Sequence, residues 1–454
     1  MTTLPCLDVR VTRVTTPVGA STALLTDHYE LTMLSAALRD GTAGRRTVFE
    51  AFGRRLPDGR RYGVVAGTGR LLDALDEFRF GDAELSALRE HHVVDEQTLE
   101  WLSSYRFTGD VWGYAEGEIY FPGSPMLVVE ASFAEAVVLE TLVLSILNHD
   151  SAIASAASRM TAAAEDRPCI EMGSRRTHEE AAVAAARAAY IAGFTTTSNL
   201  EAGRRHGVPT TGTAAHAFTL LHDDERAAFQ SQVDTFGPGT TLLVDTYDVP
   251  NAVKLAVEIA GPELGGVRLD SGDLLQQARE VREQLDSLGA TKTKIVVTSD
   301  LDEFAIAALQ AGPVDGYGVG TQLVTGSGAP TAGLVYKLVA RENSAGELEG
   351  VAKKSKDKTS IGGRKFALRR RNPQGIAEAE VIGIGIPPVD DGDDRSLLVP
   401  LVEGGERVFH GTLDDAREHH RTSRGELPPT ARQMSRGEPV IPTLYQRDEK
   451  EKTQ

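Results

Sequence analysis

Cysteine is nearly absent: Cys6 and Cys169 are the only two in 454 residues. That excludes a disulfide framework or a cysteine-rich zinc site and points to a reducing, cytoplasmic setting. Long apolar runs are missing as well. Nowhere do about 18 apolar residues follow one another, so no segment is expected to span a membrane. The nearest approach, Ala134 to Leu147, is interrupted by Glu135 and Glu140. The stretch Met1 to Val14 has no apolar core and does not read as a signal peptide. Basic residues are in deficit, 48 Lys plus Arg against 65 Asp plus Glu, for a formal net charge of -17. A general nucleic-acid or anionic-membrane binder carries a basic face, so neither partner is expected. A Walker lysine loop is also lacking, which excludes a nucleotide site of that type.

What is present is an ordinary globular composition, 41% hydrophobic and 25% charged, in a chain long enough for two domains. Leu24 to Leu38 reads as an amphipathic helix with Thr26-Asp27 as its cap, and Thr47 to Phe52 as a short strand. Gly67-Thr68-Gly69 lacks the third glycine of a dinucleotide loop and reads as a helix start. Phe107 to Glu130 alternates apolar and polar residues about turns at Glu116-Gly117 and Pro122-Gly123, the pattern of antiparallel strands. Residues 133 to 164 read as helical.

From Pro168 to about residue 340 strands and helices alternate. Strands are expected near Cys169, Phe194, Val208, Leu242, Val267, Ile295, Val314 and Leu334, with Glu179 to Ile191, Leu274 to Leu288 and Leu301 to Ala311 among the helices. Thr177-x-x-Glu180 reads as a capping box. Eight such units predict an irregular, closed (β/α) barrel of parallel strands, whose active site lies at the C-terminal strand ends. Those ends read Glu171, Asn199, His216, Asp245, Asp270, Asp300 and Thr321. The expected organisation is an N-terminal α+β domain (1-140), the barrel (141-340) and a C-terminal segment (341-454) packing back on the first domain. Beyond 340 the chain reads as irregular and polar. Lys353 to Arg371 holds nine basic residues and one acid, either a solvated loop or a phosphate-contacting segment. The tail after Ser423 reads as a wrapping or partly disordered arm.

Val208 to His216, Val-Pro-Thr-Thr-Gly-Thr-Ala-Ala-His, runs through a glycine turn onto a histidine flanked by small residues. In Arg268-Leu269-Asp270, period-two geometry turns both charged residues to one face. There they form a buried ion pair, or Arg268 grips an anion while Asp270 meets hydroxyls or positive charge. Leu242 to Asp248 likewise places Asp245 where an apolar strand ends. Gly318 and Gly320 would let backbone N–H groups approach a phosphate after the seventh strand. Arg175-Arg176, after the first strand, suits diphosphate or carboxylate.

Taken together, Leu24-Leu25-Thr26-Asp27-His28-Tyr29, Gly212 to His216, Val244 to Asp248, Arg268 to Asp273 and Gly318 to Thr321 resemble the nicotinate phosphoribosyltransferases, within the type II phosphoribosyltransferases. The resemblance implies synthesis of nicotinate mononucleotide and diphosphate from nicotinate and phosphoribosyl diphosphate, with ATP hydrolysis coupled through a phosphohistidine. It implies that His216 is phosphorylated, that Tyr29, Thr213 and Arg268 contact nicotinate, and that Thr321 holds the 5-phosphate. Ser299 joins the substrate-binding set with Gly318 and Gly320. The residues fit that chemistry. Asp270 would stabilise an oxocarbenium ion, Arg175 and Arg176 with Mg²⁺ would take the leaving diphosphate, and Asp245 would hold the second N–H of His216. A homodimer with shared active sites is implied too. Glu171-Met172-Gly173 departs from the family, where many relatives have an aromatic second residue. Nicotinamide or quinolinate phosphoribosyltransferase and an inactive barrel sensing NAD precursors are the alternatives.

Overall fold

The computed structural model describes residues 21-353 and 361-447. Met1 to Val14, Cys6, the basic residues Lys354, Lys356 and Lys358, and the tail from 448 lie outside the described residues. Two large apolar cores are built around one long helix, Glu140–Ala164. Its first half supplies Leu142, Val143, Ile146 and Leu147 to one core, and its second half supplies Ile153, Ala154, Ala157 and Met160 to the other. Alanines favour the helix and let neighbours approach closely. The helix is therefore buried along much of its length. Among the described residues no helix is long and apolar enough to cross a membrane.

The first core lies against a seven-stranded antiparallel sheet. Arg46–Gly53 pairs there with Leu127–Ser132 on one side and Leu334–Glu342 on the other. Leu398–Glu403 pairs with Asp110–Tyr114, so late chain joins early chain in one sheet. The helix expected from Leu24 begins instead at His28, because Asp27 accepts from the His28 N–H; a 3-10 turn, Ala23–Leu25, precedes it.

The second core lies against an α/β half-barrel: Cys169–Glu171, Thr196–Thr197, Thr241–Leu243, Gly266–Leu269, Lys294–Ser299 and Gly316–Val319 form an open parallel sheet of six strands. Two of the eight expected strands are not in it. Leu334–Glu342 is antiparallel and belongs to the other sheet. The Val208 strand shrinks to a single bridge, Thr197 to Thr210, because Pro209 has no N–H to continue a ladder. The capping box at Thr177 is likewise replaced, His178 capping Glu179–Ile191 through a bond from the Glu180 N–H.

The C-terminal segment is more ordered than its polarity implied. Lys365–Arg371, Ala377–Ile384, Arg395–Ser396 and Thr443–Arg447 form a sheet of their own. Three basic residues of the Lys353 to Arg371 run are neither solvated nor set for phosphate. Lys365 Nζ bonds Glu50 at 2.6 Å, Arg364 Nε bonds Glu130 at 2.8 Å and Arg369 Nη2 bonds Glu380 at 2.9 Å. The arm after Ser423 wraps back, its Thr443–Arg447 strand running parallel to Ala377–Ile384.

Candidate active site

Parallel pairing brings the C-terminal strand ends level. Ser299 is in register with Val319, Val319 with Glu171, and Glu171 with Thr197. From this edge the chain leaves through loops that carry most of the residues singled out above.

Asp245 follows the Thr241–Leu243 strand and has a side chain only 2% exposed. Its Oδ2 accepts from the Asp270 N–H at 2.9 Å and from Ser271 Oγ at 2.8 Å. Its Oδ1 is buried with no hydrogen-bond partner among the described residues and faces His216 Nε2 at 3.8 Å. His216 opens the short helix His216–Leu221. Its Nδ1 lies 3.1 Å from Thr246 Oγ1, and its side chain is 41% exposed. The histidine is thus held by one hydroxyl and aimed at a carboxylate, with an open face to solvent.

Arg268 and Asp270 sit on one side of their strand, as period two requires, but they are not an ion pair. Asp270 Oδ1 instead accepts from Thr298 Oγ1. Arg268 donates from Nη1 to Thr213 Oγ1, and its buried Nε has no partner among the described residues. Burial pushes the guanidinium below the ordinary arginine range; Asp270 and Asp245 pull against this, and Arg175 adds to it. Arg268 stays charged regardless, so a half-buried cation faces the site with Asp270 and Asp245 in its field but no ion pair among the described residues.

Arg175 and Arg176 occupy the 3-10 turn Ser174–Arg176, both exposed and without an ion-pair partner among the described residues. Ser299 and Asp300 are exposed at the end of their strand, and Thr321 Oγ1 donates to Asp300 Oδ1 at 3.5 Å. Gly320 precedes the short helix Thr321–Val324. Gly318 is buried inside its strand, where an added methyl would come within 2.5 Å of Thr298 Cγ2 and 2.8 Å of Met172 Sδ. Met172 and the methyl of Thr298 thus close over Gly318.

Two rim residues turn inward. The Glu171 carboxylate is buried and accepts from the Gly173 N–H and Thr197 Oγ1, burial raising its pKa. Asn199 caps Leu200–His206 and donates to Ser174 Oγ. Tyr29 is not brought to the edge. It lies 45% exposed on His28–Asp40, near Glu140 and Glu30. Sequence reasoning missed the hydroxyls Thr246, Ser271 and Thr298 as partners of His216, Asp245 and Asp270. Their signal was a Ser or Thr beside, or across the sheet from, each strand-end acid.

Residues 24-148 match the model of the nicotinate phosphoribosyltransferase (NAPRTase) N-terminal domain. Nicotinate phosphoribosyltransferase pncB1 of Mycobacterium tuberculosis (strain ATCC 25618 / H37Rv) is 61% identical over 431 residues, covering 92% of this chain and 94% of that protein. The pncB2 nicotinate phosphoribosyltransferase of the same strain is 40% identical over 425 residues, covering 91% and 89%. The crystal structure of human nicotinic acid phosphoribosyltransferase superposes with a TM-score of 0.79 at 26% identity, covering 94% of this chain and 98% of that one. On identity and coverage of this extent, the chain belongs to the nicotinate phosphoribosyltransferase family.

Proposed function

We propose that this chain transfers the phosphoribosyl group of 5-phosphoribosyl 1-diphosphate to nicotinate, a salvage step toward NAD, with ATP hydrolysis coupled through phosphorylated His216. The observation that carries the reading is Arg268, a half-buried cation with no ion pair among the described residues, on the same strand face as a carboxylate. Nicotinate supplies the missing carboxylate; nicotinamide does not. The six-stranded sheet is read as an irregular barrel whose third strand is the Thr210 bridge.

In the transfer, the pyridine nitrogen forms a bond to C1 of the sugar while the C1–O bond breaks and its electron pair leaves with diphosphate. Asp270, fixed by Thr298, faces the positive charge that builds on the sugar. Arg268 and Thr213 hold the nicotinate carboxylate. Exposed Arg175 and Arg176 meet the diphosphate, and Ser299, Gly320 and Thr321 meet the 5-phosphate end, with Gly318 admitting Met172 beneath.

Mg²⁺ takes one or two carboxylates and otherwise phosphate oxygens and water. Asp270 and, while His216 does not engage it, Asp245 Oδ1, buried without a partner among the described residues, fit that demand. The three-carboxylate group found among the described residues, Asp390, Asp391 and Asp394, lies far along the chain beside Arg370 and is not needed for it. The ion would neutralise charge on the diphosphate. For phosphorylation, Asp245 receives the Nε2–H of His216, leaving the Nδ1 lone pair, freed from Thr246, to attack the γ-phosphate and release ADP.

A second copy of this chain completes the site in this reading. Leu25, Tyr29 and Met33 are exposed at four-residue spacing, and Leu220, Leu221 and Tyr247 are exposed near His216. Joining the two apolar sets would bring Tyr29 to a neighbour's edge and exclude water. The reading is tested by assaying nicotinate mononucleotide with and without ATP, alongside γ-labelled ATP. ATP-stimulated product and an acid-labile label lost in His216→Ala are expected. No product under either condition sinks the reading.

A further inference from the structure

The helix Glu303–Leu309 begins shortly after the exposed Ser299 and Asp300, with Asp302 as its cap. Its first residue turns away from the edge, and the Glu303 side chain is 4% exposed. Oε1 accepts from Arg60 Nη1 and from Arg159 Nε, each at 3.0 Å, and Oε2 accepts from Ser327 Oγ at 2.6 Å. Both arginines reach further. Arg60 Nη2 donates to Gly326 O at 2.8 Å, and Arg159 donates to Gly59 O at 2.9 Å and to Met434 O at 3.2 Å. One carboxylate thus ties the loop at Gly59-Arg60, the long helix, the Glu303 helix and the turn at Gly326-Ser327-Gly328.

That turn holds one strained residue, Ser327. All three of its residues have positive φ, Gly326 +64°, Ser327 +52° and Gly328 +83°, and only two other non-glycine residues among those described do so. A serine in the left-handed region needs its surroundings to hold it there, and its hydroxyl bond to Glu303 does that. The turn closes the short helix Thr321–Val324. Glu303 therefore grips both loops that meet where Thr321 donates to Asp300. From one side it is three residues beyond Asp300, and from the other it holds Ser327, six beyond Thr321.

We propose that Glu303, through Ser327, is a positioning residue that sets the spacing of Asp300 and Thr321 and thereby the binding of the phosphorylated sugar, touching no ligand itself. The inference rests on the reading of Thr321 as the 5-phosphate holder. Direct binding of phosphoribosyl diphosphate and, separately, of nicotinate is measured on the full-length wild type and on Ser327→Ala, Glu303→Gln and Thr321→Ala.

Ser327→Ala, the milder change, should weaken phosphoribosyl diphosphate about ten-fold, as loss of a charge-assisted bond does. Nicotinate affinity should stay within about two-fold. Glu303→Gln should act in the same direction, and Ser327→Ala should cost little more when Thr321→Ala is already present. If Thr321→Ala weakens the sugar phosphate while Ser327→Ala and Glu303→Gln bind as the wild type does, the positioning role is wrong and the Thr321 reading stands. If Thr321→Ala changes nothing, the Thr321 reading fails and takes the positioning role with it. Equal loss of both ligands in Ser327→Ala means general loosening and also overturns the proposal.

Discussion

Arg369 and Arg268 both project from strands into poorly hydrated surroundings, and they differ in what neutralises them. Arg369 is fully buried, bonds Glu380 and the Ile119 carbonyl, lies over the Phe121 ring at 5.2 Å and has Glu118 at 3.8 Å. Those carboxylates are themselves shared. Glu118 also takes Arg395, His419 and Ser423, and Glu380 takes Tyr114 and Ser124. Arg268 has one threonine hydroxyl and, among the described residues, no carboxylate within ion-pair distance. Where charge serves the fold, the chain supplies the counter-charge itself; at the sheet edge, in the function proposed above, it leaves that place to a ligand. Burying an unpaired charge costs stability, so the edge spends what the C-terminal sheet secures.

The comparison can be broken from either side. The largest effect expected is on activity. If two copies share the site as proposed, Tyr29→Ala and Asp270→Ala should each be nearly inactive, and mixing them under conditions of subunit exchange should restore measurable turnover, because a mixed dimer would regain one intact site. Exchange without recovery would show that each subunit is self-sufficient.

On the internally neutralised side, Arg369→Ala leaves Glu380 buried without its cation, and removing one partner of a buried pair costs about 3–5 kcal/mol. Its thermal midpoint should fall well below that of Arg268→Gln; equal midpoints would erase the distinction drawn here.

The same region should be acid-sensitive. His420, 2% exposed beside Arg424, His419 and Glu118, is pushed by burial from the ordinary 6.5 down to about 3. The unfolded chain therefore binds the proton first. Stability is fully present above about pH 6.5 and is lost as pH falls toward 3, by up to ~1.4 kcal/mol per pH unit. His420→Gln should flatten that slope in urea titrations at pH 5 and 7. An unchanged slope would place the acid sensitivity elsewhere.

The smallest effect is the stability of Arg268→Gln, expected within about 0.5 kcal/mol of the wild type or slightly above it, since the change removes a desolvated cation that has no ion pair among the described residues. A large loss would make Arg268 a fold residue.

Much of the edge was legible because strand-end polar residues follow apolar runs: Asp245 stands just past an apolar strand, and Arg268 and Asp270 stand where period two put them. The sheet was less so. Leu334–Glu342 looks like any strand, and nothing local says that its partner is Arg46–Gly53, nearly 300 residues earlier. Pro209 could have warned that the third strand would fail. The C-terminal sheet was hidden by its own inward charges, because Lys365, Arg369 and Glu380 break the apolar alternation that marks a strand. Arg268 and Asp270 facing one way was readable; that Thr213 and Thr298, rather than each other, would hold them was not.

The most direct test of the central claim is the selectivity of Arg268→Gln, measured as kcat/KM for nicotinate and for nicotinamide beside the wild type. A charge-assisted bond of about 1.5–3 kcal/mol predicts a fall of roughly one to two decades for nicotinate, with nicotinamide losing far less. An equal fall for both substrates would contradict the account, because Arg268 would then serve the phosphoribosyl group or the fold rather than the carboxylate.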